Sequence, residues 1–310
     1  MSQTSRFTIS AGVVALIVIA LFVPVQAQTQ ASCQFTTFYR LLSINGGNRI
    51  LVPRGVNDYN TVVGEAQDDT DFSLRAFTRF SGGSISYYRH NSTDTFFTDR
   101  TNGGATIGVA GGQFALGSMN GTPFTLQGST FTPLTMTIGG TTYNKFTVWG
   151  TNSWGTTVGT YADSSGYAHG FKRFSNGNTV ALDYPGSAET VASAINDNGT
   201  VVGSYTKFLP PNAWWHGFIY SNGQWATLNF PDSTLETTLS GIGNANLVVG
   251  STVKGRSSTT VTGSFLYQSG AFKKIVLPYT NVPTSTAGVS PNKGLITGFS
   301  GYTGFIATCK

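Results

Sequence analysis

The sequence predicts an all-β protein, a six-bladed β-propeller made of four-stranded repeats of about 47 residues. One observation is a phenylalanine that recurs every 47 residues, followed by a last one after 40: Phe77, Phe124, Phe171, Phe218, Phe265 and Phe305. A second is a glycine in phase with it, at the end of a short apolar run: Gly64, Gly108, Gly159, Gly203, Gly250 and Gly298. A fixed period of this length is typical of propellers and related repeat folds. Charged residues make up only 10% of the chain, which suits packed sheets joined by many turns.

The fourth repeat shows the elements most clearly. Residues 192–195 and 200–205 are predicted strands, joined by the turn 196–199. Residues 216–221 and 224–230 form a second predicted pair, with alternating apolar positions in the last segment. Four antiparallel strands in one repeat correspond to one propeller blade.

The glycine markers have a structural role in this scheme. The position four residues before each marker is always Gly or Asn, the residues that adopt positive φ most easily. Each marker therefore follows a tight turn. We expect Gly64 and its five equivalents to lie on inner strands, where a missing side chain permits close approach.

The N-terminus, residues 1–27, is predicted to be a signal peptide. Arg6 precedes fifteen apolar residues, and a small-residue cleavage site follows. An uncleaved anchor is the alternative, but fifteen residues are short for a membrane span. A lipidated Cys33 is another, although Gln30 stands where a lipobox requires an aliphatic residue. We therefore expect a secreted or periplasmic protein with one propeller domain, residues 28–310, and no membrane span after cleavage.

The two ends of the chain are predicted to close the ring. The last residues, Gly304 to Cys309, align with a third strand, so the sixth blade lacks a fourth. Residues 33–42 can supply that strand. Cys33 and Cys309 then fall on the two neighbouring positions of a hairpin turn, and an exported chain meets an oxidising compartment. We expect a Cys33–Cys309 disulfide, with the usual Cα separation of about 4.4–6.8 Å.

The repeats resemble a known family. The segment 192–205 together with His216-Gly217-Phe218, and also His169-Gly170-Phe171, resembles bacterial extracellular repeat proteins of the HAF type, named for a His-Ala-Phe motif. Glycine replaces the alanine here, and the histidine is absent from the other four repeats. The resemblance implies a secreted, propeller-like array. It implies no established activity, so no catalytic residue is carried over.

Histidines and acids give few catalytic candidates. His169 and His216 occupy the same position of adjacent repeats, which favours a repeated structural hydrogen bond, and His90 is predicted to lie at a strand surface. No Cys/His spacing fits a zinc site. An acidic group follows the second strand of the first repeat and could hold Ca²⁺ or be a solvated loop: Glu65, Asp68, Asp69 and Asp71. The spacing of an EF-hand is missing, so no metal or other cofactor is assigned.

Aromatic residues are the better candidates for binding. The segment 207–215 is rich in proline and aromatic residues, and Trp214 and Trp215 offer large amphipathic surfaces for a sugar ring or a protein partner. The alternative is that both pack between blades. We expect the tryptophans within or beside repeat strands to be structural: Trp149, Trp154 and Trp225.

The connections between strands define a predicted working face. The longer, variable connections share one face of the ring, and we expect the ligand site there, with Trp214, Trp215, Asp68, Asp69 and Asp71 as binding residues. The segments concerned are 65–76, 109–121, 160–168, 206–215, 231–238 and 251–262.

The predicted function is a secreted, monomeric, non-catalytic binding or scaffold propeller for a glycan, envelope or protein ligand. The net charge of +5 is diffuse, which argues against nucleic acid. The alternative is a hydrolase or lyase acting on polysaccharide, which would need two carboxylates converging from different blades. The sequence offers five carboxylates that could belong to such a pair: Asp68, Asp163, Glu189, Asp232 and Glu236.

Overall fold

The computed structural model describes residues 29–39, 49–68, 73–91, 94–110, 121–254, 260–278, 280–301 and 303–310. These residues form strands and turns only, with no helix among them. The predicted signal peptide lies outside this part of the chain. The predicted closing strand 33–42 is described as far as Tyr39.

Six blades of four antiparallel strands confirm the predicted propeller, and the strands of each blade follow chain order except in the last; the sheet of blade 5 carries one additional short strand. Blade 1 comprises Arg49–Val56, Val62–Asp68, Leu74–Arg79 and Ile85–Tyr88. Blade 2 comprises Thr95–Arg100, Thr106–Ala110, Thr122–Gln127 and Thr130–Pro133. Blade 3 comprises Thr147–Thr151, Thr157–Ala162, Ala168–Arg173 and Thr179–Ala181. Blade 4 comprises Glu189–Ile195, Val201–Thr206, His216–Ser221 and Gln224–Thr227. Blade 5 comprises Leu235–Ile242, Val248–Lys254, Val261–Gln268 and Ala271–Ile275. Blade 6 comprises Thr284–Val289, Ile296–Ser300, Thr303–Cys309 and Cys33–Tyr39.

Two small elements were not predicted. Thr29–Gln30 runs parallel to the outer strand of blade 5. A hairpin of Met136–Ile138 and Thr141–Tyr143 stands between blades 2 and 3. The hairpin accounts for the longest interval between glycine markers, 51 residues from Gly108 to Gly159.

The two ends of the chain close the ring as predicted. Cys33–Tyr39 pairs antiparallel with Thr303–Cys309, and Thr37 opposes Phe305 as Thr227 opposes Phe218 in blade 4. Cys33 and Cys309 oppose each other directly and form the predicted disulfide. Their Cα atoms lie 4.1 Å apart, just below the expected range, because directly opposed residues in a non-hydrogen-bonded pair approach closely.

The core lies between the blades, in six apolar clusters that each join two neighbouring blades. The six repeating phenylalanines are fully buried there. The glycine markers lie on the second strand, one strand out from the ring axis, and permit this packing. A Cβ on Gly203, for example, would overlap the Val191 carbonyl oxygen and the Phe218 ring. The two periodic signals in the sequence are therefore two halves of one packing unit.

Every first strand carries a β-bulge at the ring axis. The residues that follow the bulges pack against the next blade: Gly55, Asp99, Gly150, Ala194, Gly241 and Gly288. A Cβ on Gly150 would lie 2.7 Å from the Ala194 Cα atom, so the backbones approach closely. The cavity left at the axis has a volume of about 30 Å³. That space suits roughly one water molecule rather than a substrate.

Candidate functional site

The strand connections give the ring two different faces. The turn face carries the tight turns between first and second strands and between third and fourth strands, such as 196–199 and 222–223. The loop face carries the remaining connections, including 207–215. Of the predicted binding residues that the structure describes, Trp214 and Trp215 belong to the loop face, and Asp68 ends a strand at that face.

The aromatic loop of blade 4 is held by one hydroxyl group. Thr206 Oγ1 donates to the Phe208 carbonyl oxygen at 2.9 Å and accepts the N–H groups of Phe208 at 3.4 Å and Trp214 at 3.1 Å. The Phe208 side chain is 64% exposed, whereas Trp214 and Trp215 are half-buried. The Trp215 carbonyl oxygen accepts the Thr237 N–H of blade 5. Phe208, which is not among the predicted binding residues, is therefore the exposed aromatic residue of this loop, and the backbone of Trp215 contacts the neighbouring blade.

The predicted acidic group is only partly described. Glu65 is buried, and its carboxylate pairs with Arg54 at 2.7 Å. Asp69 and Asp71 lie outside the described residues, and Asp68 is described only in its backbone. In the part of the chain that the structure describes, no group of three or more His, Cys, Asp or Glu residues could hold a metal ion. Calcium binding by the loop stays a prediction.

Three of the other candidate carboxylates have local structural partners, and the fourth, Glu236, is buried on the first strand of blade 5. Asp163 accepts the N–H groups of Ser165 and Tyr167 at 2.8 and 2.9 Å. Glu189 accepts the Ala168 N–H, and Asp232 accepts the Thr234 N–H and hydroxyl. These contacts stabilise turns and strand ends.

The two equivalent histidines each contact a polar side chain of the same blade, but in opposite hydrogen-bond directions. His169 Nδ1 lies 3.0 Å from Asp183 Oδ2, which is an acceptor, whereas His216 Nδ1 accepts from the Asn229 amide nitrogen at 2.9 Å. His169 Nε2 also lies 3.5 Å from Asp163 Oδ2. In both repeats the same polar side chain also accepts the N–H of the following glycine. This recurrence supports the structural interpretation. The third histidine, His90, is less exposed than predicted, because its ring stacks on Phe131 of blade 2 at 3.6 Å.

The turn face carries a ring of polar side chains at positions for which the sequence predicts only tight turns. They occupy the second position of each turn between first and second strands: Asp58, Asn102, Ser153, Asp197, Asn244 and Asn292. In four seams the N–H of one member donates to the side-chain oxygen of the next. The pairs are Asp58 to Asn102 at 2.9 Å, Ser153 to Asp197 at 2.7 Å, Asp197 to Asn244 at 2.8 Å and Asn292 to Asp58 at 2.9 Å. We call this set the turn ring.

The two remaining seams of the turn ring differ. Between blades 5 and 6, the Asn244 N–H donates to the Pro291 carbonyl oxygen at 2.6 Å, and the Asn244 amide donates to Asn292 Oδ1. Between blades 2 and 3, the described side chains of Asn102 and Ser153 make no hydrogen bond with each other. The turn ring is thus open at one seam.

Asp58 is the most heavily bonded member of the turn ring. Burial alone would raise the pKa of its carboxyl group. The N–H groups of Lys293 and Asn292 and the side-chain amides of Asn102 and Asn292 outweigh burial and lower the pKa to about 2. Asp58 is therefore ionised at neutral pH, and it joins blade 1 to both neighbouring blades.

Exposed aromatic side chains stand next to the turn ring. Tyr59 is 66% exposed and Trp154 is 69% exposed, each at the third position of its turn. The indole nitrogen of Trp154 donates to the Asp197 carbonyl oxygen at 3.0 Å. This hydrogen bond agrees with a structural role for Trp154, but most of the indole ring is exposed to solvent.

Asp99 is the one ionisable residue among the positions that follow the bulges. Burial raises the pKa of its carboxyl group to about 7, although the N–H groups of Thr151 and Arg100 donate to it at 3.0 and 2.8 Å. The accessible part of Asp99 lines the axial cavity. Asp99 therefore titrates near neutral pH inside the ring.

Comparisons with known proteins bear on the fold. No protein-family model matches the chain, and no curated protein matches it in sequence. A protein of unknown function from Dyadobacter fermentans superposes with a TM-score of 0.55 at 9% identity, over 90% of this chain and 99% of that one. A gluconolactonase-like protein gives 0.54 at 12% identity, over 91% and 94%. TolB from Acinetobacter baumannii gives 0.53 at 10% identity, over 81% and 65%. At these identities the likeness shows a shared propeller fold and carries no ligand or activity.

Proposed function

We propose that this chain is an exported, non-catalytic propeller that binds a glycan on its loop face. The observation that carries the proposal is the hydrogen bonding around Thr206, which fixes the backbone at Phe208 and Trp214 on one short loop. A loop whose backbone is already fixed loses less conformational entropy when a ligand binds. Aromatic side chains also offer an apolar face on which a sugar ring can stack.

Export rests on the predicted signal peptide and on the disulfide. Disulfides persist in oxidising compartments. Cys33 and Cys309 oppose each other on paired strands and form a disulfide. None of the described residues forms an apolar helix long enough to cross a membrane. Secretion, and membership of the HAF-repeat family, remain parts of this proposal.

A binding role fits the described carboxylates better than catalysis does. Hydrolysis of a glycoside commonly needs two carboxyl groups about 5–9.5 Å apart on either side of the scissile bond. Asp163, Glu189 and Asp232 are engaged in local turns and strand ends, and the axial cavity holds about 30 Å³.

The test is a glycan and polysaccharide binding screen on the mature chain, with and without Ca²⁺. Phe208→Ala, Trp214→Ala and the double variant are compared with Phe174→Ala, an aromatic residue of the turn face that is 39% exposed. We expect the double variant to bind at least about tenfold more weakly, because stacked aromatic anchors dominate such sites. The Phe174→Ala control is expected to bind normally.

Two outcomes would overturn the proposal. One is full binding by the double variant, and the other is loss of binding through Trp154→Ala on the turn face alone. The acidic residues after the second strand of blade 1 are tested separately. Asp68→Ala together with Asp69→Ala should remove any dependence of glycan binding on Ca²⁺ without changing the contribution of the aromatic residues. Circular dichroism and melting curves establish that each variant is folded.

A further inference from the structure

A second cavity lies on the turn face between blades 1 and 2, away from the loop of the proposed glycan site. Its volume is about 280 Å³, close to the lower end of small-molecule pockets. It exists partly because two turns there carry glycine, Gly104 and Gly128, both at positive φ. We call it the Arg100 pocket.

Its walls combine an apolar surface with hydroxyl groups. Phe80, Tyr88 and Phe97 supply aromatic surface, and Phe80 is 40% exposed at the rim. Thr78 and Ser86 line the same space with hydroxyl groups. A six-membered ring with one apolar face and several polar substituents fits this chemistry.

Arg100 supplies the charge. Its Nη1 donates to Thr106 Oγ1 at 2.7 Å, and burial lowers the pKa of the guanidinium group. Among the described residues, no carboxylate forms an ion pair with it. The adjacent Asp99 accepts the backbone N–H of Arg100 and turns its carboxyl group to the axial cavity.

Nη2 is the nitrogen of the guanidinium that can meet an anion. Nη1 is engaged by Thr106, and Nε is buried without a hydrogen-bond partner within the described structure. Nη2 lies beside Gly104, one of the residues that line the pocket. Its N–H groups can donate a charge-assisted hydrogen bond to a carboxylate oxygen. A half-buried cation without a counterion gains most from a ligand that supplies one.

We propose that the Arg100 pocket binds a small monocarboxylate carried on a six-membered ring. The carboxylate pairs with Nη2 of Arg100, and the ring lies against Phe80 and Tyr88. Two sources share this chemistry, a uronic acid and an aromatic acid. The hydroxyl groups of Thr78 and Ser86 favour the sugar acid. This site does not depend on the proposed loop-face function.

Calorimetric titration and ¹H–¹⁵N NMR of the full mature chain test the proposal with four probes. Glucuronate and benzoate are the acids, and glucose and benzyl alcohol are their neutral counterparts. We expect at least one acid to bind, with its neutral counterpart at least about tenfold weaker, since charge-assisted hydrogen bonds are the strong ones. Binding of glucuronate alone identifies the sugar acid, and binding of benzoate alone identifies the aromatic acid.

Variants locate the site. Arg100→Met should weaken binding at least about tenfold. Ser86→Tyr fills the mouth from an exposed strand position, so it should block binding with no loss of fold. The matched control is Arg173→Met, because Arg173 is a half-buried arginine whose Nε donates to the Thr135 carbonyl oxygen outside the pocket. If neither acid binds, if the neutral probes bind equally well, or if Ser86→Tyr leaves binding intact, the proposal is overturned.

Discussion

The seam between blades 6 and 1 and the seam between blades 2 and 3 are held in different ways. At the first, Asp58 accepts the N–H groups of Asn292 and Lys293 and the Asn292 amide, and the turn ring is complete. At the second, the turn ring is open. A single Thr151 N–H instead crosses from blade 3 to the Asp99 carboxylate in blade 2.

The apolar packing at the two seams also differs. The cluster between blades 2 and 3 includes Met136 of the small hairpin, and Ile138 and Tyr143 of the same hairpin pack against it. The cluster between blades 6 and 1 draws on the blades themselves, with Phe38 of the closing strand. A seam with a long connection can thus rely on extra buried surface. The seam beside the blade built from both chain ends relies on fixed polar contacts and a covalent bond.

Of the changes that test this comparison, removal of the disulfide should have the largest effect on the free energy of unfolding. Cys33→Ser with Cys309→Ser frees a loop of 276 residues, and the loop-entropy estimate is a loss of up to about 5 kcal/mol in the free energy of unfolding. The antiparallel pairing should survive, so the strand content should not change. Guanidinium unfolding and far-UV circular dichroism measure both quantities. Reduction of the wild-type protein is the control, and equal stability with and without the bond would contradict the prediction.

Asp58→Ala should come next. It removes hydrogen bonds from two peptide N–H groups and two side-chain amides, which predicts a loss of about 2–3 kcal/mol at pH 7. The folded pKa of about 2 lies below the ordinary 3.8, so the stabilisation is present above about pH 4 and is lost as the pH falls towards 2. Urea unfolding between pH 2.5 and 7 measures it. A difference between wild type and variant that does not shrink at low pH would count against the assignment.

Asp99→Asn should change stability in the opposite direction. The folded pKa of about 7 lies above the ordinary 3.8, so folding favours the protonated form and the free energy of unfolding falls as the pH rises from about 4 to 7. Asparagine carries no charge, and its single oxygen can replace only one of the two carboxylate oxygens that accept the Thr151 and Arg100 N–H groups. We expect a gain of about 1–2 kcal/mol at pH 8, a figure reduced from the full shift because the carboxyl group is partly accessible. The gain should vanish near pH 4, and a gain that does not depend on pH would show that charge is not the cause.

The smallest effect tests the open seam directly. Ser153→Asn places at this position the side chain found in three other members of the turn ring, and its Oδ1 atom can accept the Asn102 N–H. We expect a gain of about 0.5 kcal/mol, since the site is exposed. Ser153→Ala, which loses the hydroxyl contact to Asp197, should cost a similar amount. Precise melting curves at one pH resolve the two, and a loss from the asparagine variant would mean that the seam cannot close.

Much of the fold was readable in the sequence because each blade packs only against its neighbours. The Phe218 ring and the Gly203 backbone must meet in every copy, so their period survives as a signal. The register of the closing strand followed from the same alignment. The hairpin 136–143 carried no repeated marker, and it was visible only as a long interval.

The candidate sites were harder to predict because they form between blades. The members of the turn ring all stand six residues before a glycine marker, so a positional signal was present. Within one repeat, however, Asp197 looks like an ordinary turn residue, and only the neighbouring blade supplies Ser153 and Asn244. The Arg100 pocket is harder still, because side chains missing at Gly104 and Gly128 help to create it.

The closing strand also affects the order in which the blades can fold. Cys33 begins a strand that precedes blade 1 in the chain, and its partner Cys309 follows 276 residues later. Until the later strand is synthesised, the earlier strand has an open edge and its cysteine has no native partner, so both can pair wrongly. Blades 1 to 5 can each form as their own four strands emerge, whereas blade 6 needs two distant segments of the chain. The native disulfide is therefore expected to form only after the other five blades are present.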